Sequence, residues 1–158
     1  MKRPAPFTLA LIASLCGAGA EAGNGPPSGC SDLSSVAPFT QIRYEQIQNI
    51  FSTDSGGTLL CLGCHPGSSG AGNLGLGPEF SYGNLVGVPS DGVPSILRVA
   101  PGDPLASILF LKLNCDDPPG LFDRMPLNRA PLSVAQQALF FDWIRLGAPL
   151  SRLGFEDR

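Results

Sequence analysis

Cys61-Leu62-Gly63-Cys64-His65 constrains this chain more than any other stretch. It matches C-x-x-C-H, the sequence to which haem c is attached. On one turn of helix, two thiols at this spacing reach the two vinyl groups of one porphyrin and form thioethers. The next residue then sets an imidazole beneath the iron. Three other uses of the same residues stand beside this reading. A thioredoxin-like pair needs a helix start inside a βαβ pattern, and no such pattern flanks residue 61. A zinc site needs four ligands, so Cys61, Cys64 and His65 would have to recruit distant Cys30 or Cys115. A plain Cys61–Cys64 disulfide would leave His65 idle.

The iron ligands follow from scarcity. His65 is the only histidine, so ligation by two imidazoles within one chain is ruled out. Of the two methionines, Met1 is the initiator, which leaves Met125, just before Pro126 in a loop. A thioether on iron raises the reduction potential relative to a second imidazole. Met125 is therefore the expected sixth ligand. The alternatives are a methionine filling a gap in the core, Lys112 as ligand, or an open site.

The N-terminus reads as an address. Lys2 and Arg3 are followed by the apolar run Phe7–Cys16 and by small residues up to Ala22. Both Ala18-Gly19-Ala20 and Ala20-Glu21-Ala22 suit signal-peptidase cleavage, so residues 1–22 are expected to be a secretory signal peptide. Leu15, bulky where a lipid-attachment site wants a small residue, argues against a lipid anchor at Cys16. Haem c is attached after export, so signal and motif support each other. The expected place is the periplasm or the outside of a bacterium. Cleavage makes the remaining chain one charge more acidic than the −3 of the whole. It leaves Cys30, Cys61, Cys64 and Cys115 in an oxidising compartment, where free thiols need a purpose. Cys30 and Cys115 form a candidate disulfide that would tie an N-terminal arm to the loop carrying Met125. No basic patch is present, which disfavours nucleic acid as a partner, and no apolar run is long enough to span a membrane.

Regular structure is sparse. With 20 glycines and 16 prolines in 158 residues, the chain breaks often. Residues 23–37 read as a flexible arm. Tyr44–Phe51 has the spacing of a short amphipathic helix, with Ile47, Ile50 and Phe51 apolar. Residues 66–80 have no helical period and read as a wrapping loop, long enough to do a job. Ser81–Val86 suits a helical turn. Asp103-Pro104 starts a helix to about Leu113, apolar almost all round and therefore buried. Ser133 with Gln136 forms a capping box for a helix over 134–146 that buries Leu139, Phe140, Trp143 and Ile144 and stops at Gly147. Trp143 is expected in the core rather than as an electron relay. The outline is all-α: three to four short helices and long loops wrapped around one covalent haem.

Several stretches carry a resemblance. Ile47-Gln48-Asn49-Ile50-Phe51, the CLGCH at 61–65, Ser81-Tyr82-Gly83-Asn84-Leu85-Val86, Leu97–Pro104, Asp123-Arg124-Met125-Pro126-Leu127 and Leu132–Ala148 are similar to small bacterial cytochrome c domains of the planctomycete, haem-c-binding type. The resemblance covers roughly residues 38–150 and leaves 151–158 as a tail. It implies the cytochrome c fold, with the helix near Ile47 against the helix around Trp143. It also implies that Cys61, Cys64, His65 and Met125 hold the haem. One departure is the length of residues 52–60, where such domains have only a few residues before the first haem cysteine. Arg98, Arg124 and Arg129 are candidates for pairing with haem propionates, since a guanidinium suits carboxylates. His65 is expected to donate its other ring nitrogen to a backbone carbonyl.

Three functions compete. The expected one is an exported monohaem electron carrier serving protein redox partners, and not an enzyme. A docking module with a structural haem is the second. A peroxidase-like haem enzyme is the third; it needs an open distal site and acid–base groups nearby, which the lack of a second histidine argues against.

Overall fold

The computed structural model describes residues 28–53, 61–116 and 123–150. The expected signal peptide and tail lie outside the described residues, as do most of the 52–60 insertion and residues 117–122. Among the described residues there are four α-helices and no sheet: α1 Tyr44–Ser52, α2 Ser81–Leu85, α3 Ile108–Asn114 and α4 Val134–Arg145. Two single turns of 3-10 helix, Ala71–Asn73 and Pro104–Ala106, interrupt the loops. Isolated bridges, Val86 with Val99 and Pro89 with Leu97 among them, take the place of strands.

α1 buries Tyr44, Ile47 and Phe51, one face of a helix at i, i+3 and i+7. That face meets α4. Tyr44 tilts against Trp143 with ring centres 5.4 Å apart, and Phe51 against Phe140 at 5.5 Å. Phe110 of α3 meets Phe141 of α4 edge-on at 5.2 Å. Trp143 is wholly buried, and its Nε1–H donates to the Pro149 carbonyl at 3.0 Å. It belongs to the core.

The ends of α4 follow the sequence. Ser133 Oγ accepts from the Gln136 amide, and the Gln136 side chain accepts from the Ser133 amide. At the other end Gly147, at φ +93°, turns the chain so that its own amide reaches the Ile144 carbonyl and the Ala148 amide reaches that of Trp143. Leu139, expected to be buried, is only partly so; Gln137, Ala138 and Asp142 take the buried positions beside Phe140, Trp143 and Ile144.

The expected helix from Pro104 to Leu113 is two pieces. Asp103 does cap it, accepting from the Ala106 amide at 3.1 Å, but the turn closes at Ser107, which is extended. The amides of Ile108 and Leu109 leave the helix path and bond to the Leu97 and Arg98 carbonyls, each at 3.0 Å. Ser107 Oγ fills the gap, accepting from the Ala100 amide and donating to the Asp103 carbonyl, both at 2.8 Å. The 97–100 segment thus outcompetes the helix for its own donors. Leu105, in the first piece, is exposed, so the segment is not buried all round.

Residues 28–37 are fastened to the body. Cys30 and Cys115 form a disulfide. The Ser31 amide donates to Asn114 O and the Asp116 amide to Gly29 O, so the two cysteines sit in a short antiparallel bridge. Beside it, Asn114 Nδ2 donates to Ser31 O and to Gln137 Oε1, and Gln137 Nε2 donates to Leu132 O. This buried polar network joins the arm, α3 and α4.

Candidate functional site

Residues 61–65 form one turn. The His65 amide donates to the Cys61 carbonyl at 2.8 Å, the i to i+4 bond of an α-helix, and the Cys64 amide donates to the same carbonyl at 3.2 Å. Pro66 has no amide hydrogen to continue the pattern, so the turn stands alone. One turn carries Cys61, Cys64 and His65 on the same short stretch of backbone.

Both thiols are free of each other. Cys61 is half-buried and Cys64 is exposed. Burial first, and Cys64 beside it second, push the Cys61 thiol up to about 11. A thioredoxin-type nucleophile requires the reverse, a thiol held low by a helix start or a cation. Among the described residues, no three His, Cys, Asp or Glu side chains gather as a zinc ion would need.

His65 Nδ1 lies 3.0 Å from the Leu74 carbonyl oxygen. A carbonyl only accepts, so Nδ1 carries the proton in this bond. In the neutral ring that leaves the lone pair on Nε2, the tautomer that a metal ligand requires. The carbonyl expected from the sequence is therefore that of Leu74, nine residues on.

Residues 65–77 make a tight coil that delivers this carbonyl. The Ala71 amide bonds to Cys64 O, Leu76 to His65 O and Gly77 to Gly67 O. The coil closes so far that a Cβ on Gly75 would stand 2.2 Å from the Ser68 carbonyl carbon, and one on Gly70 would stand 2.5 Å from His65 Cα. Gly70, Gly75 and Gly77 serve close approach of backbone to backbone, while Gly67 and Gly72 take positive φ with open space around them. Beside the turn lies a shallow, almost wholly apolar groove of about 370 Å³, lined by Leu62, Pro66, Gly67, Gly77, Pro78, Glu79 and Phe80.

Met125 is partly buried and packs against the same core that Cys61, Leu62 and Leu74 border. Its amide donates to the Lys112 carbonyl at 2.7 Å, and the bond to Pro126 is cis. Arg124 anchors the segment. Its guanidinium donates to Leu113 O, to Ser31 Oγ and to Asp116 at 2.6 Å. Lys112 Nζ donates to the Asp123 carbonyl, and burial pushes the ammonium below its ordinary value.

The three arginines proposed for propionates differ in their commitments. Arg98 donates to the carbonyls of Asn84 and Asn73. Arg124 is engaged as described. Arg129 is exposed and lines a second groove with Asp116, Asp123, Leu127 and Asn128.

Asn84 and Gln48 stand in the stretches of resemblance, but their sequence context marks no role for them. Asn84 Nδ2 donates to Ser68 O and to Gly75 O, and Gln48 Nε2 donates to Leu76 O. No spacing rule marks them. The nearest signal is the glycine-rich loop itself, whose exposed carbonyls have to find donors somewhere.

The donor set suits a covalent haem: two unpaired thiols on one turn, an imidazole fixed with Nε2 unprotonated, an apolar groove alongside and a methionine on the same core. No family model, no curated protein and no solved structure matches this chain.

Proposed function

We propose that this chain is an exported monohaem c-type cytochrome that carries single electrons between protein partners. Cys61 and Cys64 would hold the haem as thioethers. His65 Nε2 and the Met125 sulfur would be the ligands to its iron. The bond from His65 Nδ1 to Leu74 O is the observation that carries this reading, because it gives the C-x-x-C-H turn the imidazole tautomer and aim that iron ligation needs. When bound, the haem supplies a one-electron ferric–ferrous couple. The chain's own part is to hold the ring of His65 still, to keep water from the buried face and to bring in Met125 on a segment pinned by Arg124. With His65 and Met125 both given to the iron, the site would favour electron transfer over binding a substrate there. Around this group the four helices would take the cytochrome c arrangement. The Cys30–Cys115 disulfide supports an oxidising compartment, in keeping with the signal-like residues 1–22.

The test is an absorption spectrum of the exported protein, oxidised and reduced, with wild type beside Met125→Ala. The expected result is a c-type spectrum with a methionine–iron charge-transfer band that the variant lacks. A haem spectrum without that band in wild type removes Met125 from the iron. Mass spectrometry after denaturation, reduction and alkylation checks the attachment. Two alkylated cysteines, Cys30 and Cys115, are expected where the chain has four in the described residues. Four alkylated cysteines and no bound porphyrin overturn the proposal.

A further inference from the structure

Four consecutive carbonyls, those of Asn73, Leu74, Gly75 and Leu76, each accept a side-chain N–H. Asn73 O takes Arg98 Nη2 at 3.1 Å and Leu74 O takes His65 Nδ1 at 3.0 Å. Gly75 O takes Asn84 Nδ2 at 2.9 Å and Leu76 O takes Gln48 Nε2 at 3.0 Å. The donors come from four separate parts of the chain: the 97–99 segment, the haem-binding turn, α2 and α1. They also hold one another. Arg98 Nη1 donates to the Asn84 carbonyl at 2.9 Å, and Asn84 reaches across the coil to Ser68 O at 3.0 Å. Beyond the single turn Ala71–Asn73 and a few backbone bonds, this glycine-rich loop has no regular structure to fix its peptide planes. Without these donors the Leu74 carbonyl could rotate away from the imidazole.

From this ladder we infer that Asn84 and Arg98, assisted by Gln48, are positioning residues that aim the Leu74 carbonyl at His65 and so set how strongly the imidazole donates to iron. The inference rests on the haem reading above and gives Arg98 a task other than pairing with a propionate. A firm Nδ1–H···O bond makes the ring a more basic ligand, which favours the ferric state. Loosening the ladder weakens that bond and shifts the couple toward the ferrous state. The direction separates this role from a charge effect. Removing a cation near the iron would favour ferric iron instead.

The experiment is a redox titration of the exported holoprotein as wild type, Asn84→Ala and Arg98→Lys, with Arg145→Ala as a control on an exposed arginine paired with buried Asp142 of α4. Asn84→Ala alters no charge. Arg98→Lys keeps the charge but gives up the fork that spans two carbonyls. Both are expected to raise the ferrous-to-ferric ratio at fixed applied potential by up to about tenfold, the lower end of what losing an outer partner costs a ligand. NMR should show the His65 Nδ1 proton exchanging with solvent faster in both. Arg145→Ala should leave the couple and the exchange rate as in wild type. A couple and exchange rate unchanged in Arg98→Lys and Asn84→Ala, with haem fully attached, overturns the inference and leaves the cytochrome reading intact. So does a shift toward the ferric state. If Asn84→Ala yields no folded protein, Arg98→Lys decides by the same criteria. Wild type without covalent haem overturns both.

Discussion

Single residues here act through hydrogen bonds that the core leaves no room to replace. The Tyr44 hydroxyl donates to Ser81 Oγ at 2.6 Å, and Ser81 passes the bond on to Gln48 Oε1, the residue that also holds Leu76 O. Burial pushes the Tyr44 phenol up to about 12, against the ordinary 10, with the Ser81 bond pulling the other way. The folded chain therefore keeps a proton that the unfolded chain releases near pH 10. Tyr44 contributes its full stabilisation below pH 10 and loses it as pH rises toward 12, at a cost of about 2 to 3 kcal/mol. Denaturant melts of wild type and Tyr44→Phe across pH 9–12 check this. Wild type should weaken steeply over that window and the variant less so. At this scale the sequence was most legible where chemistry is scarce. A lone histidine after C-x-x-C could be read directly. Its Leu74 partner could not, because a backbone carbonyl leaves no mark in the sequence.

Elements were legible where local signals had no rival. The capping box at Ser133 and the stop at Gly147 bound α4 as read, and the amphipathic spacing gave α1. The Pro104–Leu113 helix had an equally clear start signal but broke at Ser107. Its donors found the 97–98 carbonyls, a competition between distant segments that propensity cannot register. The glycine-rich coil 65–77 was read as a loop, and its tightness is the new information. Gly75→Ala should cost about 3 kcal/mol, since the added carbon meets backbone rather than a yielding side chain. Gly83→Ala, where a Cβ meets nothing within 4 Å, should cost far less or even stabilise α2. Thermal melts of the two variants side by side test the contrast.

For the whole molecule, the disulfide is the longest-range covalent constraint among the described residues. It closes a separation of 85 residues, which on a chain-entropy estimate is worth about 4.5 kcal/mol. Small domains have only about 5 to 15 kcal/mol of total stability, so the bond carries much of it. Its position adds a local effect. Arg124, next to Met125, is tied to Ser31 and Asp116, one residue from each bonded cysteine. Replacing Cys30 and Cys115 together by serine should lower unfolding free energy by about 2 to 5 kcal/mol in denaturant melts. It should also lose the methionine–iron band at milder heating than that which unfolds the chain. Simultaneous loss of both signals in the variant would show that the disulfide does not restrain the Met125 segment separately. The pairing of Cys30 with Cys115 was legible by subtraction once the other two cysteines had a use. The network of Asn114 and Gln137 that buries it was not, because amide side chains in helices read as surface.

The burial of the Cys61 thiol has a consequence for the thiol chemistry of its turn. If the chain is exported as proposed, four thiols enter an oxidising compartment together, and only the Cys30–Cys115 pairing leaves the C-x-x-C turn open. Disulfide exchange proceeds through the thiolate. With its thiol pushed up to about 11, only about one Cys61 side chain in ten thousand is a thiolate near pH 7. Once the turn has folded, Cys61 is a slow attacking thiol, and attack within the C-x-x-C pair falls to the exposed Cys64. The burial that hides one sulfur thus makes the two thiols of the turn unequal, one slow to attack and one open to solvent.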